Sequence, residues 1–162
     1  MPDSNLIKLR KKTYLKMIEN SVGARLFNSL FVKFKDTGKV VDIYQNGTYS
    51  CAFFVSSVLT LLKYIDSPHS TVNTVKKELV KNNWQEISGE NLQPGDVVIW
   101  EEVTFEDGTK NQHIGFVLNR KEAVSTNFQT RKVERHHITF GVNKDGTPKR
   151  KITTAFRPSS EN

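Results

Sequence analysis

Little in this chain suits cross-linking or crossing a bilayer. Its 162 residues include one cysteine, Cys51. No internal disulfide can form, which excludes a disulfide-rich secreted scaffold and fits a reducing compartment. A chain of this length buries about two-thirds of the surface its unfolded form exposes, so it needs no disulfide or metal to fold. No apolar run reaches the ~18 residues of a membrane-spanning helix. The longest, Cys51 to Leu62, is broken by Ser56, Ser57 and Thr60. The start, MPDSNLIKLRKKTYLK, is interrupted by Lys8, Arg10, Lys11 and Lys12 and lacks a small-residue cleavage site, so it does not read as a secretory leader. The expectation is a soluble protein, cytoplasmic as encoded. No Gly-rich phosphate loop is present. Asp42, Glu101, Glu102, Glu106 and Asp107 are acidic, but no His/Cys spacing completes a zinc set around them. Neither a cofactor nor a metal is expected.

What the chain has in excess is positive charge. Twenty-four basic residues against 17 acidic ones leave a net charge of +7. Such an excess attracts polyanions such as nucleic acid, acidic membrane surfaces or anionic wall polymers, and says nothing about fold. The clusters are Lys8 to Lys12, then Arg131, Lys132 and Arg135, then Lys149 to Lys151. Each taken singly reads as a solvated face. A nucleic-acid-binding domain is the less favoured reading, because no reading motif accompanies the charge.

The patterning changes near residue 90, from helical to strand-like, which predicts an α+β fold. Residues 5–19 read as a basic amphipathic helix, with Leu6, Leu9 and Met17 near one stripe and Ile7, Tyr14 and Ile18 beside it. A second apolar segment spans 24–34, KDTGK turns, and VVDIY is β-prone. Residues 50–65 are apolar around most of a helical wheel, which predicts a buried helix. Pro68 ends it, and Ser70 or Thr71 can cap the next helix, which runs to about Asn82. Then VVIW, HIGFVL, AVSTN, KVERHHITF and KITTAF read as strands joined by turns, FEDGTK among them. They predict four or five antiparallel strands, in a sheet of four to six. The chain reads as one domain, 1–162, with a basic N-terminal segment over 1–40.

Cys51 follows the turn Asn46-Gly47-Thr48 and opens the buried helix. A helix N-terminus favours a thiolate, the reactive form of cysteine; a small core residue is the bland alternative. Of the four histidines, His113 heads HIGF, where Gly115 leaves room for another group to approach. His69 lies in a Pro-containing turn. His136 and His137 are adjacent, so on a strand they point to opposite faces and at most one faces a site.

The order of parts completes the pattern: a cysteine opening a buried helix, LQPGD leading into VVIW, HIGF, then the polar strand AVSTN. Over about residues 42 to 130 it resembles the NlpC-type and CHAP branch of the papain-like cysteine peptidases and amidases. The resemblance implies a papain-like core over 41–160, with the cysteine-bearing helix packed on the antiparallel sheet. It implies a thiol hydrolase of peptide or amide bonds, with peptidoglycan peptides as first-choice substrate. Cys51 would be the nucleophile and His113 the base. The third residue falls on Ser125 by family spacing, where His, Asn or Gln is more usual; Asn127, on the same side of a regular strand, is the alternative. The Cys51 N–H would supply one oxyanion donor and Gln45 the second, with Tyr44 and Tyr49 as rivals. A protein without a leader would reach a wall by a non-classical or phage-type route. The unusual third residue leaves open a catalytically weak or inactive member that acts as a binding domain.

Overall fold

The computed structural model describes residues 6–104 and 108–159. Phe105, Glu106 and Asp107 of the expected FEDGTK hairpin lie outside them. Three helices come first in the larger plan: α1 Arg10–Asn20, α2 Cys51–Leu61 and α3 Val72–Lys81. A small ribbon, β1 Phe31–Lys33 with β2 Val40–Asp42, sits between α1 and α2. The main sheet follows: β3 Trp84–Ile87, β4 Val97–Thr104, β5 Lys110–Val117, β6 Glu122–Asn127, β7 Lys132–His137 and β8 Ile152–Pro158. Its order is β3-β8-β4-β5-β6-β7, with every pairing antiparallel. The fold is α+β, as the sequence predicts.

Period-two alternation gives the sheet two distinct faces. One face carries Val97, Ile99, Ile114, Phe116, Val124 and Phe156 into the main core, beneath the helices. The other carries Val98, Trp100, Val117, Ala123 and Ala155, covered by Ile138 and Phe140. α2 packs its buried side, Ala52, Phe54, Val55, Val58 and Leu59, against the first face.

The sequence reading differs from the structure at several elements. α1 starts at Arg10 rather than near residue 5. Its buried residues are Tyr14 and Ile18, while Leu6, Ile7 and Leu9 stay exposed. Those three find no core to enter, so no burial offsets the entropy of ordering them as helix. The apolar segment over 24–34 supplies a strand, because β2 offers it a partner. α2 stops at Leu61, and Lys63 then takes a left-handed conformation that turns the chain. Leu61 itself faces solvent, so the helix is buried on most of its circumference rather than all. β3, around Trp84, is not legible as a strand; it exists because β8, more than sixty residues on, pairs with it at Trp84↔Pro158 through Ile87↔Ala155. Thr71 caps α3, its hydroxyl accepting from the Thr74 N–H at 3.2 Å.

Candidate active site

Cys51 is the first residue of α2 and is half-buried. The loop before it is tied down by Asp42. That carboxylate accepts backbone N–H bonds from Leu30 (2.9 Å), Tyr44 (3.1 Å) and Asn46 (2.9 Å). Desolvation opposes ionisation of Asp42, but these bonds outweigh it and hold its pKa at about 2. Gln45, Asn46 and Gly47 then run at positive φ, and Arg131 donates to the carbonyls of Gln45 and Asn46. A Cβ on Gly47 would lie 2.8 Å from the Asn28 side chain, so both the φ and the space require glycine.

The Ser50 hydroxyl donates back to the Gly47 carbonyl instead of capping α2, and no acidic residue occupies the first turn. The N-terminal amides are thus left to the sulfur. Burial pushes the Cys51 thiol up, while the N–H groups of Ile114, Ala52 and Cys51 and the charge of Arg150 pull it down. Burial prevails. The amides of the helix start do favour the thiolate, as expected, but burial outweighs them and leaves the thiol above its ordinary value.

His113 lies on β5, beside the strand position whose amide bears on the sulfur. β5 and β6 are paired at Phe116↔Val124 and Val117↔Ala123 only. His113 lies beyond that paired stretch, where β5 borders the groove. Cys51 arrives from the helix side of the sheet. His113, Ser125 and His136 project from the other side, and all four line one groove of about 560 Å³. Gly115 makes this possible. A Cβ there would stand 2.6 Å from the Val124 carbonyl oxygen and 2.9 Å from both Ser125 Cβ and the Trp100 ring.

His113 Nε2 is 2.8 Å from Ser125 Oγ, and Ser125 Oγ is 2.8 Å from His136 Nε2. His136 Nδ1 is in turn 2.8 Å from the His137 carbonyl oxygen. Trp100 lies under both imidazoles, with centroids 5.5 Å from His113 and 5.4 Å from His136. Its indole N–H donates to the Ile138 carbonyl at 2.7 Å. Phe140 stacks on His136 at 4.1 Å. Burial, with Arg150 and His136 adding to it, pushes His113 down to about 3. Burial also lowers His136.

Arg150 is the groove residue that the sequence reading missed. It stood in a cluster read as a solvated face, yet it is half-buried in the groove wall. The register of β4 with β5 shifts between Trp100 and Val103. Such a bulge exposes backbone groups, and the Glu101 carbonyl accepts from Arg150 Nε (3.0 Å) and Nη2 (2.9 Å). The Asn111 carbonyl accepts a third bond at 3.2 Å. Nothing in the run KRK marks the middle cation as the inward one; only the register of β4 does.

The remaining sequence candidates are placed as follows. Asn127 does not bond to His113: its amide donates to Glu134 at 2.7 Å and its Oδ1 accepts from the Gln129 N–H. Tyr49 lines the groove. Gln45 is exposed and lies outside the groove lining. Tyr44 is buried and bonded to Ser70 Oγ at 2.7 Å. His69 sits 3.6 Å from Glu78, away from this cluster. His137 turns from the groove and accepts from the Thr139 and Gly141 N–H groups. Among the described residues, no group of three or more His, Cys, Asp or Glu is placed to hold a metal ion. Nor is any helix among them long and apolar enough to cross a membrane.

A half-buried thiol and an imidazole share one groove, at the seam between a helix and an antiparallel sheet. Residues 37–157, most of the chain, match the family model Amidase_5, described as bacteriophage peptidoglycan hydrolase. The chain belongs to this family of peptidoglycan hydrolases. No curated protein matches its sequence significantly.

Proposed function

We propose that this hydrolase is a thiol-dependent amidase that cleaves an amide bond in the peptides of peptidoglycan, with Cys51 as nucleophile and His113 as base. One observation carries the reading: Cys51 and His113 line the same groove, with the His113 ring bonded from behind by Ser125. The finer kinship, with the NlpC-type and CHAP branch of the papain-like enzymes, is part of the same proposal. It is supported by a cysteine at a helix N-terminus meeting a histidine on the adjacent antiparallel sheet.

Both groups are neutral at rest, so the reaction starts from thiol and imidazole rather than an ion pair. The sulfur attacks the amide carbonyl as its proton passes to His113. The carbonyl π-electrons move to oxygen, where the Cys51 N–H and one further donor receive the charge. Tyr49 is favoured over Gln45 as the side-chain donor because it lines the groove. Arg150 bears on both Cys51 and His113; its cation stabilises negative charge as it develops on sulfur and oxygen. The imidazolium then gives its proton to the leaving nitrogen as the C–N bond breaks. Water, deprotonated by His113, releases the acyl group and restores the thiol. Ser125 is the orienting residue on this reading, since it rather than Asn127 bonds to His113.

The net charge of +7 supports an anionic wall as the place of action, and the family supports phage-type release to reach it. The test is hydrolysis of purified peptidoglycan, read as new free amino groups, by the protein and its Cys51→Ala and Cys51→Ser variants. Loss of at least about a thousandfold in rate is expected, the scale seen when a nucleophile is removed; undiminished activity in Cys51→Ala refutes the assignment. A second reading, a non-catalytic binding member, is favoured by the raised thiol pKa. It predicts peptidoglycan binding with no release of amines even by the unaltered protein.

A further inference from the structure

We propose that His136 is a positioning residue which, acting through Ser125, holds His113 in the single tautomer whose Nδ1 lone pair can take the Cys51 proton. The inference rests on the thiol-amidase reading above and deepens it. Its basis is the direction of the hydrogen bonds that run obliquely across β5, β6 and β7.

The chain of bonds ends on a group that can only accept, the His137 carbonyl, 2.8 Å from His136 Nδ1. Nδ1 of His136 must therefore carry a proton. A neutral imidazole has one N–H, so Nε2 of His136 is left as an acceptor. Ser125 Oγ stands 2.8 Å from that nitrogen and 2.8 Å from His113 Nε2. The hydroxyl has one proton to give, and His136 receives it. Ser125 Oγ must then accept from His113, whose proton therefore sits on Nε2 and whose Nδ1 is bare.

The alternative tautomer would set two bare nitrogens competing for one hydroxyl proton. Ser125 is 1% exposed, so little water reaches the site to serve the loser. The cost of one unpaired buried acceptor biases the tautomer by about tenfold to a hundredfold. When His113 becomes imidazolium, Nε2–H still donates to Ser125, so nothing behind the ring has to turn during the reaction. Without His136 a serine is ambiguous, since its hydroxyl can donate to His113 as readily as accept. A carboxamide oxygen has no such ambiguity, and His136 supplies the direction that serine lacks.

The packing supports a built relay. Gly115 faces Ser125 and Ala123 is registered opposite His136. These two small residues clear the diagonal that the polar side chains follow. The His136 ring is held by Phe140 on one side and Trp100 on another. The titratable or charged groups around it are His113 across Ser125, Glu134 and His137 on its own strand, and Arg150 from the segment before β8. Burial lowers His136, which keeps it neutral in the working range. Its protonation puts a proton on Nε2, reverses the bond to Ser125 and frees the hydroxyl to stabilise the wrong tautomer of His113. Activity therefore falls on the acid side with the titration of His136.

The experiment combines kinetics with nitrogen NMR of the imidazoles in the full chain. His136→Phe keeps a ring against Phe140 and Trp100 but removes the acceptor. The expected result is a kcat lower by about ten- to a hundredfold with KM little changed, the range set by the tautomer bias. His136→Gln, whose Oε1 can accept from Ser125, recovers most of the loss. In a Ser125→Ala background, His136→Phe changes kcat less than about twofold, because the relay is already cut. NMR of the catalytically dead Cys51→Ala variant should show His113 protonated on Nε2 and bare on Nδ1, and a mixture once His136→Phe is added. Equal losses from His136→Phe with and without Ser125, or a His113 that carries its proton on Nδ1 in the otherwise unaltered chain, overturn the proposal. The NMR result does not depend on turnover, so it stands or falls separately from the thiol mechanism. If Cys51→Ala remains active, only the underlying reading fails.

Discussion

Cys51 and His113 line one groove, and burial is the main cause of the shift in both. His113 is pushed down to about 3, below its ordinary value near 6.5. The folded state therefore prefers the neutral ring: its contribution is full above about pH 6.5 and is lost as pH falls toward 3. For Cys51, pushed up, the contribution is full below the ordinary thiol value and lost as pH rises past it. Alkylation of Cys51 should consequently still accelerate above about pH 10, where an ordinary thiol has levelled off. Replacing Arg150 by Met should shift that profile further up, since the guanidinium is one of the groups holding it down; an unchanged profile would remove Arg150 from the electrostatics of the sulfur. Gly115 makes a sterically sharper prediction. Gly115→Ala sets a methyl group within 3 Å of the Val124 carbonyl, Ser125 and Trp100. It should destabilise the protein by about 1–3 kcal/mol, the usual cost of overpacking. It should also lower kcat more than tenfold by displacing Ser125 from His113, which thermal melts and peptidoglycan hydrolysis together would show.

At the scale of elements, the loop ahead of α2 decides where the cysteine points. Asp42 ties three amides of that segment and of the strand approach. Its carboxyl is held at about 2, below the ordinary value of 3.8. Its stabilising effect is thus present above about pH 4 and lost as pH falls toward 2. Asp42→Ala should speed amide hydrogen exchange across residues 43–50 and reduce hydrolysis, while exchange in β4 and β8 stays slow. Uniform acceleration throughout the sheet would mean that Asp42 supports the whole fold rather than this loop. The cysteine helix and the HIGF strand were legible from their apolar runs and their order. The short pairing of β5 with β6 was not, because pairing register is not written in side-chain alternation. Ser125 and Asn127 share a strand face and an alternation class, so periodicity could not separate them. The local turn that engages Asn127 with Glu134 and Gln129 does.

Across the whole molecule, the N-terminal segment is joined to the sheet. Tyr14 and Ile18 belong to the main core, and the Tyr14 hydroxyl donates to the Gly95 carbonyl at 2.7 Å. Gly95 precedes Asp96, a buried carboxylate that accepts two bonds from Arg157, at 2.8 and 2.6 Å. Asp96→Ala should cost about 1–3 kcal/mol, because it removes two charge-assisted bonds beside the LQPGD turn while Arg157 keeps its bond to the Asn91 carbonyl. Chemical denaturation would measure it, and a loss under about 1 kcal/mol would place the pair among surface ion pairs of little weight. The charge of +7 acts at longer range. Raising salt should weaken hydrolysis of intact walls but leave hydrolysis of a short soluble peptide nearly unchanged, since screening acts on long-range attraction.

By itself the sequence determined the class of fold and singled out Cys51 and His113 as the candidates for chemistry. Apolar runs of helical and alternating period, and the order in which Cys51 and His113 occur along them, are local properties of a chain. Only the tertiary structure decided the rest. Ser125 bonds to His113, His136 stands behind it, and Arg150 turns inward, because strand register and a bulge set those distances. Burial, which depends on everything packed around the site, decided that the thiol is raised and the imidazole lowered.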